Sequence, residues 1–197
     1  MLVGRGFSRD IKGPYQRGFR DCVRTQNWLV FVAPAFRRAL WNQADARLKA
    51  GVYFVTTDTW QKHPLFINTA LANIVVEQIV SCRDRGFYKL HAFVVTPDHL
   101  HVLLTPGEST TAEKAMQMIK GGSAHRIGIE KPQKFPIWHL GFHDRWMRDG
   151  EEYRGSKRYI ELNPVEAKLV ERPEDYVLSS ATGKYGLDLS RFDEARG

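Results

Sequence analysis

Phe93-Val94-Val95-Thr96-Pro97-Asp98-His99-Leu100-His101-Val102-Leu103-Leu104 is two apolar runs joined by a short polar insert. Thr96-Pro97-Asp98 has the residue types of a tight turn or bulge, so the stretch predicts two strands, 88–96 and 99–105, meeting there. His99 and His101 are then i and i+2 on one strand. Both imidazoles project from the same face, roughly 6–7 Å apart at Cα. Two neutral imidazoles side by side can hold a divalent metal; two partly exposed histidines on a strand face are the plainer alternative.

Outward from this pair the pattern alternates between strand and helix. Residues 52–57, rich in β-branched and aromatic side chains, predict a strand. Residues 68–85 predict a helix, with Leu71, Ile74, Val75, Gln78 and Ile79 at helical spacing and Gly86 as its stop. A second helix is predicted over 109–129, opened by Thr110-x-x-Glu113 as a capping box and weakened midway by Gly121-Gly122. Residues 137–148 predict a strand, and 151–170 a helix broken by Pro164. The order β-α-β-β-α-β-α predicts an α+β fold of split β-α-β type: an antiparallel sheet with helices on one face, plus a C-terminal helix. Barrel hydrolases with H-x-H sites need roughly 250 residues of alternating βα units, and this chain has neither the length nor the alternation.

Composition narrows the partners. The 197 residues are 43% hydrophobic and 26% charged, ordinary for a globular domain with a sizeable core. No apolar run of about 18 residues is present, so no membrane span is expected. Met1 to Asp10 lacks the apolar region of a secretory signal, and Cys22 and Cys82 lie far apart, which together predict a reducing, cytoplasmic setting. The net charge of +7 lies wholly in residues 1–50, which carry ten Lys/Arg and three Asp/Glu; the remaining 147 carry 19 of each. Three parts are expected: a basic, partly disordered extension over 1–50, a folded domain over 51–185, and a tail over 186–197. The extension reads as a nucleic-acid-binding arm, an unstructured leader, or translated sequence upstream of the true start.

The last predicted helix carries Tyr159-Ile160-Glu161-Leu162-Asn163-Pro164. Tyr159 and Asn163 share a helix face by their i,i+4 spacing, and Pro164 puts Asn163 at the expected helix end. If this helix crosses the sheet face bearing the histidines, two imidazoles, an amide oxygen and a phenol meet in one site. Such a set suits a divalent ion polarising a phosphodiester while the phenol attacks it.

At this point the residues resemble a known family. The H-x-H strand, the segment Trp138-His139-Leu140-Gly141-Phe142-His143-Asp144-Arg145, and Tyr159-(x)3-Asn163-Pro164 together resemble the IS200-like single-tyrosine (Y1) transposases of the HUH nuclease superfamily. The resemblance is closest to the REP-associated group, whose helix reads Y-I-x-x-N-P-V-x-A-x-L-V; here it is Tyr159-Ile160-Glu161-Leu162-Asn163-Pro164-Val165-Glu166-Ala167-Lys168-Leu169-Val170. It spans about residues 51–185. It implies a ferredoxin-like fold that binds single-stranded DNA carrying REP-like palindromic hairpins. It also implies cutting with Mg²⁺ or Mn²⁺ through a covalent 5′-phosphotyrosine. Carried over by position, His99 and His101 are metal ligands, Tyr159 the nucleophile and Asn163 the third ligand. IS200-type relatives carry Gln four residues after the tyrosine, where this chain has the shorter Asn. A cytoplasmic, nucleoid-associated monomer or homodimer is expected.

Further candidates for DNA contact are Lys120, Ser123 and Arg126 on the second helix, with a solvated basic face as the alternative, and His143 and Arg145. Trp138 and Trp146 suit either base stacking or the core. Asp98 reads as a turn residue, with orientation of an imidazole as its other role. Tyr153 lies on a different helix face from Tyr159 and is a rival nucleophile. A larger replication initiator or relaxase is disfavoured by the short chain. A catalytically silent hairpin-binding module is the remaining alternative.

Overall fold

The structure, a computed structural model, describes residues 50–194, so the basic extension expected over 1–50 lies outside the described residues but for Ala50. Four strands form one antiparallel sheet: β1 (Tyr53–Asp58), β2 (Tyr88–Val95), β3 (His99–Pro106) and β4 (His143–Trp146), in the order β2-β3-β1-β4. Helices α1 (Thr69–Asp84) and α2 (Ala112–Glu130) are the crossovers, and α3 (Gly150–Glu166) follows the last strand. This is the split β-α-β arrangement expected from the element order.

Strand alternation sorts the sheet into two faces. Tyr53 and Val55 of β1, with Leu100, Val102 and Leu104 of β3, enter one core with Leu71, Val75 and Ile79 of α1 and Met116 and Ile119 of α2. The opposite face offers Ala92, Val94 and Leu103 to Tyr153 and Ile160 of α3. A register shift between Leu90 and Ala92 changes the parity of β2, so Leu90 faces the first core and Ala92 the second. The sheet thus lies between two helical layers, with α3 on the second side and Phe192 of the short helix Arg191–Glu194 packed beside it.

Three local expectations are corrected. The cap of α2 is Thr111, whose side chain accepts from the Lys114 amide at 3.2 Å, one residue beyond the expected Thr110 box. Gly121-Gly122 leaves α2 unbroken, and Gly122 is where α2 meets α1: a Cβ there would lie 2.2 Å from Gln78 Nε2. Of the expected strand 137–148 only His143–Trp146 form a strand; before them Trp138 makes an isolated bridge to Thr59, and Lys120 and Ser123 of α2 hold the loop between. Lastly, α3 runs through Pro164 to Glu166. Proline removes one backbone donor near the helix end, and the chain leaves the helix beyond it at Lys168, φ 57°. Asn163 is therefore inside the helix rather than at its end.

The glycine pair separates propensity from packing. Gly121 meets nothing within 4 Å, so Gly121→Ala is expected to stabilise by about 1 kcal/mol through helix propensity. Gly122→Ala must displace Gln78, whose amide donates to Met118 O at 3.1 Å, and overpacking of that kind costs about 1–3 kcal/mol, reversing the sign. Urea unfolding of the two variants reads the difference directly; a stabilised Gly122→Ala chain would contradict the helix crossing.

Residues after α3 wrap the outer edge of β2, covering backbone groups that an edge strand would expose. The Val95 amide donates to Leu178 O at 2.9 Å, and Ser180 Oγ both accepts from the Phe93 amide at 3.0 Å and donates to Phe93 O at 3.1 Å. Residues 186–194 continue this strap across the boundary expected at 185. Asp188 accepts from Arg83 Nε and Nη2 at 3.0 and 2.9 Å and from the Leu90 amide at 2.8 Å. The Tyr153 hydroxyl donates to Asp193 at 2.7 Å, tying the start of the α3 core contact to the strap.

Candidate active site

The pairing register builds the site. His101 lies opposite Val94 on β2 and Thr56 on β1, and Thr56 in turn lies opposite His143 on β4. His99 lies opposite Asp58. Directly opposed residues share a face, so both histidines stand on the side covered by α3. That helix reaches His101: the Tyr159 ring meets the His101 ring edge-on, with centroids 5.3 Å apart and planes at 67°. Phe54, two residues before Thr56 on β1, stacks on His101 at 5.4 Å and 22° and takes the Tyr159 edge at 6.1 Å. The two imidazoles are 4.7 Å apart at their centroids.

The turn before His99 is fixed from several sides. Thr96 Oγ1 donates to His99 O at 3.0 Å and accepts from the His99 amide at 3.2 Å, while the Thr59 amide and hydroxyl both donate to Asp98 O. Within it the Asp98 carboxylate accepts from His99 Nδ1 at 2.6 Å, with both side chains nearly excluded from solvent. A carboxylate can only accept at neutral pH, so Nδ1 carries the proton of this contact and Nε2 is the ring nitrogen left outside it. Asp98 therefore orients an imidazole, the role set behind its turn function in the sequence reading. Thr56 Oγ1 makes the matching contact to His101 Nδ1 at 2.8 Å. Burial, reinforced by the neighbouring His99 and Lys62 charges, holds the His101 pKa well below its usual value, so this ring is neutral at physiological pH.

The donor set suits a divalent ion. Both imidazoles are oriented by hydrogen bonds, and Asn163, an amide oxygen donor one turn beyond Tyr159 on α3, is fully buried. Among the described residues no group of three or more His, Cys, Asp or Glu has the arrangement of a metal site, so any ion here draws on the amide or on solvent and substrate oxygens. Tyr159 itself is half-buried, with its ring packed and its helix fixed.

The proposed DNA contacts divide. Ser123 is corrected: it is fully buried, its hydroxyl donates to Ile119 O at 2.7 Å and accepts from Trp138 Nε1 at 3.0 Å, and it holds Trp138 in the core. Lys120 is half-buried and donates from Nζ to the carbonyls of His139, at 2.9 Å, and Gly141, so it organises a loop; burial lowers its pKa. Arg126 pairs with Glu77 on α1. His143 is exposed on the edge strand β4, and Arg145 pairs with Glu152 at 2.7 Å beside the N-terminus of α3. Phe54 and Thr56 escaped the sequence reading, since only strand register shows that they border His101.

The fold and this site define a class. The family profile described as "Transposase IS200 like" matches residues 52–162, and the chain belongs to that family. Among characterised proteins it is similar to the REP-associated tyrosine transposase of Escherichia coli (strain K12), with 27% identity over 147 residues that cover 72% of this chain and 86% of the relative. Among solved structures it is similar to that of a REP-associated tyrosine transposase bound to a REP hairpin, with a TM-score of 0.59 and 25% identity, covering 73% of this chain and 87% of the other. No helix among the described residues is long and apolar enough to cross a membrane.

Proposed function

We propose that this chain is a metal-dependent single-stranded DNA endonuclease and strand transferase, acting on hairpin-bearing DNA through a covalent 5′-phosphotyrosine at Tyr159. The observation that carries the reading is the edge-on contact of Tyr159 with His101, which brings a phenol to one of two neighbouring imidazoles, each oriented by a hydrogen bond, within one chain. Mg²⁺ or Mn²⁺, when held by His99, His101 and Asn163, would polarise a non-bridging phosphate oxygen and make phosphorus a better electrophile.

The protein's own groups do the rest. Asp98 and Thr56 fix the imidazole orientations, Phe54 backs the His101 ring, and α3 presents the phenol. Tyr159 Oη loses its proton and forms a bond to phosphorus, and the bond from phosphorus to the 3′ oxygen breaks, that oxygen leaving as a hydroxyl. The phosphodiester energy is kept in the phosphotyrosine, so another 3′-hydroxyl can reverse the step and join a new end. The similarity to a transposase seen on a REP hairpin supports a hairpin-bearing substrate of REP-like type. Such chemistry belongs in the cytoplasm, at the nucleoid.

Incubating the full chain with a labelled hairpin oligonucleotide tests this. We expect nicking that requires Mn²⁺ or Mg²⁺ and stops with a chelator. Tight, salt-sensitive binding without cleavage under both metals would instead favour a silent hairpin-binding module.

A further inference from the structure

The end of the sheet at which His99 stands is bordered by two loops, residues 59–63, which follow β1, and residues 134–142, which lead into β4. Asp58 lies opposite His99, and the two loops are joined to that end by backbone bonds: Thr59 N to Asp98 O, Trp60 N to Ile137 O and His139 N to Asp58 O, each 2.9 Å. Two ring pairs run along the seam. Trp60 lies nearly parallel to His139, at 25° with centroids 6.1 Å apart, and His63 to Phe135, at 23° and 4.9 Å. Between Trp60 and His63 the chain turns through two successive left-handed residues, Gln61 and Lys62.

These rings do not serve the core. His63 and His139 are exposed, Trp60 and Phe135 are half-exposed, and Leu140 beside them is 84% exposed. The loop is nonetheless held in place from beneath, by Lys120 on the carbonyls of His139 and Gly141 and by Trp138 on Ser123. Lys62, paired with Asp58 at 2.8 Å, and Lys134 are exposed along these segments, with exposed Lys131 just before the second, giving the aromatic seam a cationic border. Pre-set rings with flanking lysines are the composition that single-stranded nucleic acid recognises, bases on the π faces and phosphates on the ammonium groups.

We propose that Trp60–His139 and His63–Phe135 form a stacking platform for unpaired nucleotides, guiding single-stranded DNA off the His99 end of the site. The inference rests on the strand-transferase reading for its choice of DNA as partner. The platform sets the path of the unpaired strand, and the paired stem is bound elsewhere.

The test uses the full chain in chelator, where no cleavage intervenes, and fluorescence anisotropy with two probes: an oligodeoxythymidine and a blunt DNA hairpin. Trp60→Ala and His139→Ala are each expected to weaken oligodeoxythymidine binding by about tenfold, in line with the loss of one base–aromatic stack, while blunt-hairpin affinity stays within about twofold. Trp60→Phe should retain most of the binding. His139 is exposed, so its substitution reads the platform even if Trp60→Ala destabilises the chain. Unchanged oligodeoxythymidine affinity in His139→Ala, equal losses on both probes, or no binding of oligodeoxythymidine by the unaltered chain would each overturn the proposal. A metal-dependent nicking assay on the unaltered chain is independent of all three outcomes, so failure of the platform and failure of the enzymatic reading are told apart.

Discussion

Tyr159→Phe is expected to abolish covalent capture of a cleaved oligonucleotide while leaving the fold and hairpin affinity intact. Phenylalanine keeps the ring that meets His101 and Phe54, so packing of α3 on the sheet barely changes. What disappears is one oxygen, the proposed nucleophile. Removing a covalent nucleophile costs about 10⁴-fold or more in rate, since the remaining groups have nothing to deliver. Tyr153→Phe is the paired control. The Tyr153 hydroxyl is engaged by Asp193 on the strap, and burial first, then that carboxylate, push its pKa upward, so it is a poor nucleophile, and its ring packs edge-on against His91. Covalent capture should survive in Tyr153→Phe. If capture vanished there and persisted in Tyr159→Phe, the two tyrosines would have to exchange roles.

The second large effect is expected at the His99 turn. His99→Ala removes one imidazole donor and should reduce metal-dependent nicking by at least about 10²-fold, with Mn²⁺ affinity falling in parallel. Asp98→Asn is subtler. The amide oxygen can still accept from Nδ1, but the negative charge that strengthens the imidazole as a donor is gone. Loss of such a supporting partner typically costs about 10–100-fold in metal affinity, so the variant should recover much of its activity at raised Mn²⁺. Calorimetric Mn²⁺ titration alongside nicking separates the two cases. Metal affinity unchanged in both variants would place the ion elsewhere.

Much of this architecture was legible in the chain. The strands around His99-Leu100-His101 were found because apolar alternation and the Thr96-Pro97-Asp98 turn act over a few residues. The helix bearing Tyr159 was found by its own periodicity, but its passage over the histidines depends on which sheet face each helix takes, and only the paired strands decide that. Pro164 misled because a proline near a helix end loses one backbone bond without ending the helix. Lys120 and Ser123 misled for another reason: their partners, His139, Gly141 and Trp138, lie 15 to 21 residues away, and a basic helix face looks the same whether it meets phosphate or a neighbouring loop. Asp98 was visible beside His99, but turn and support roles use the same residue type; the 2.6 Å contact shows that it does both.

The central claim is that Tyr159 forms the covalent link, on the 5′ phosphate, in a metal-dependent step. Mass spectrometric mapping after incubating the full chain with a hairpin oligonucleotide and Mn²⁺ tests it most directly. The account predicts a single adduct on the peptide carrying Tyr159, retaining the 3′-side fragment of the oligonucleotide and absent in chelator. An adduct on any other residue, one retaining the 5′-side fragment, or one that forms without metal would contradict it.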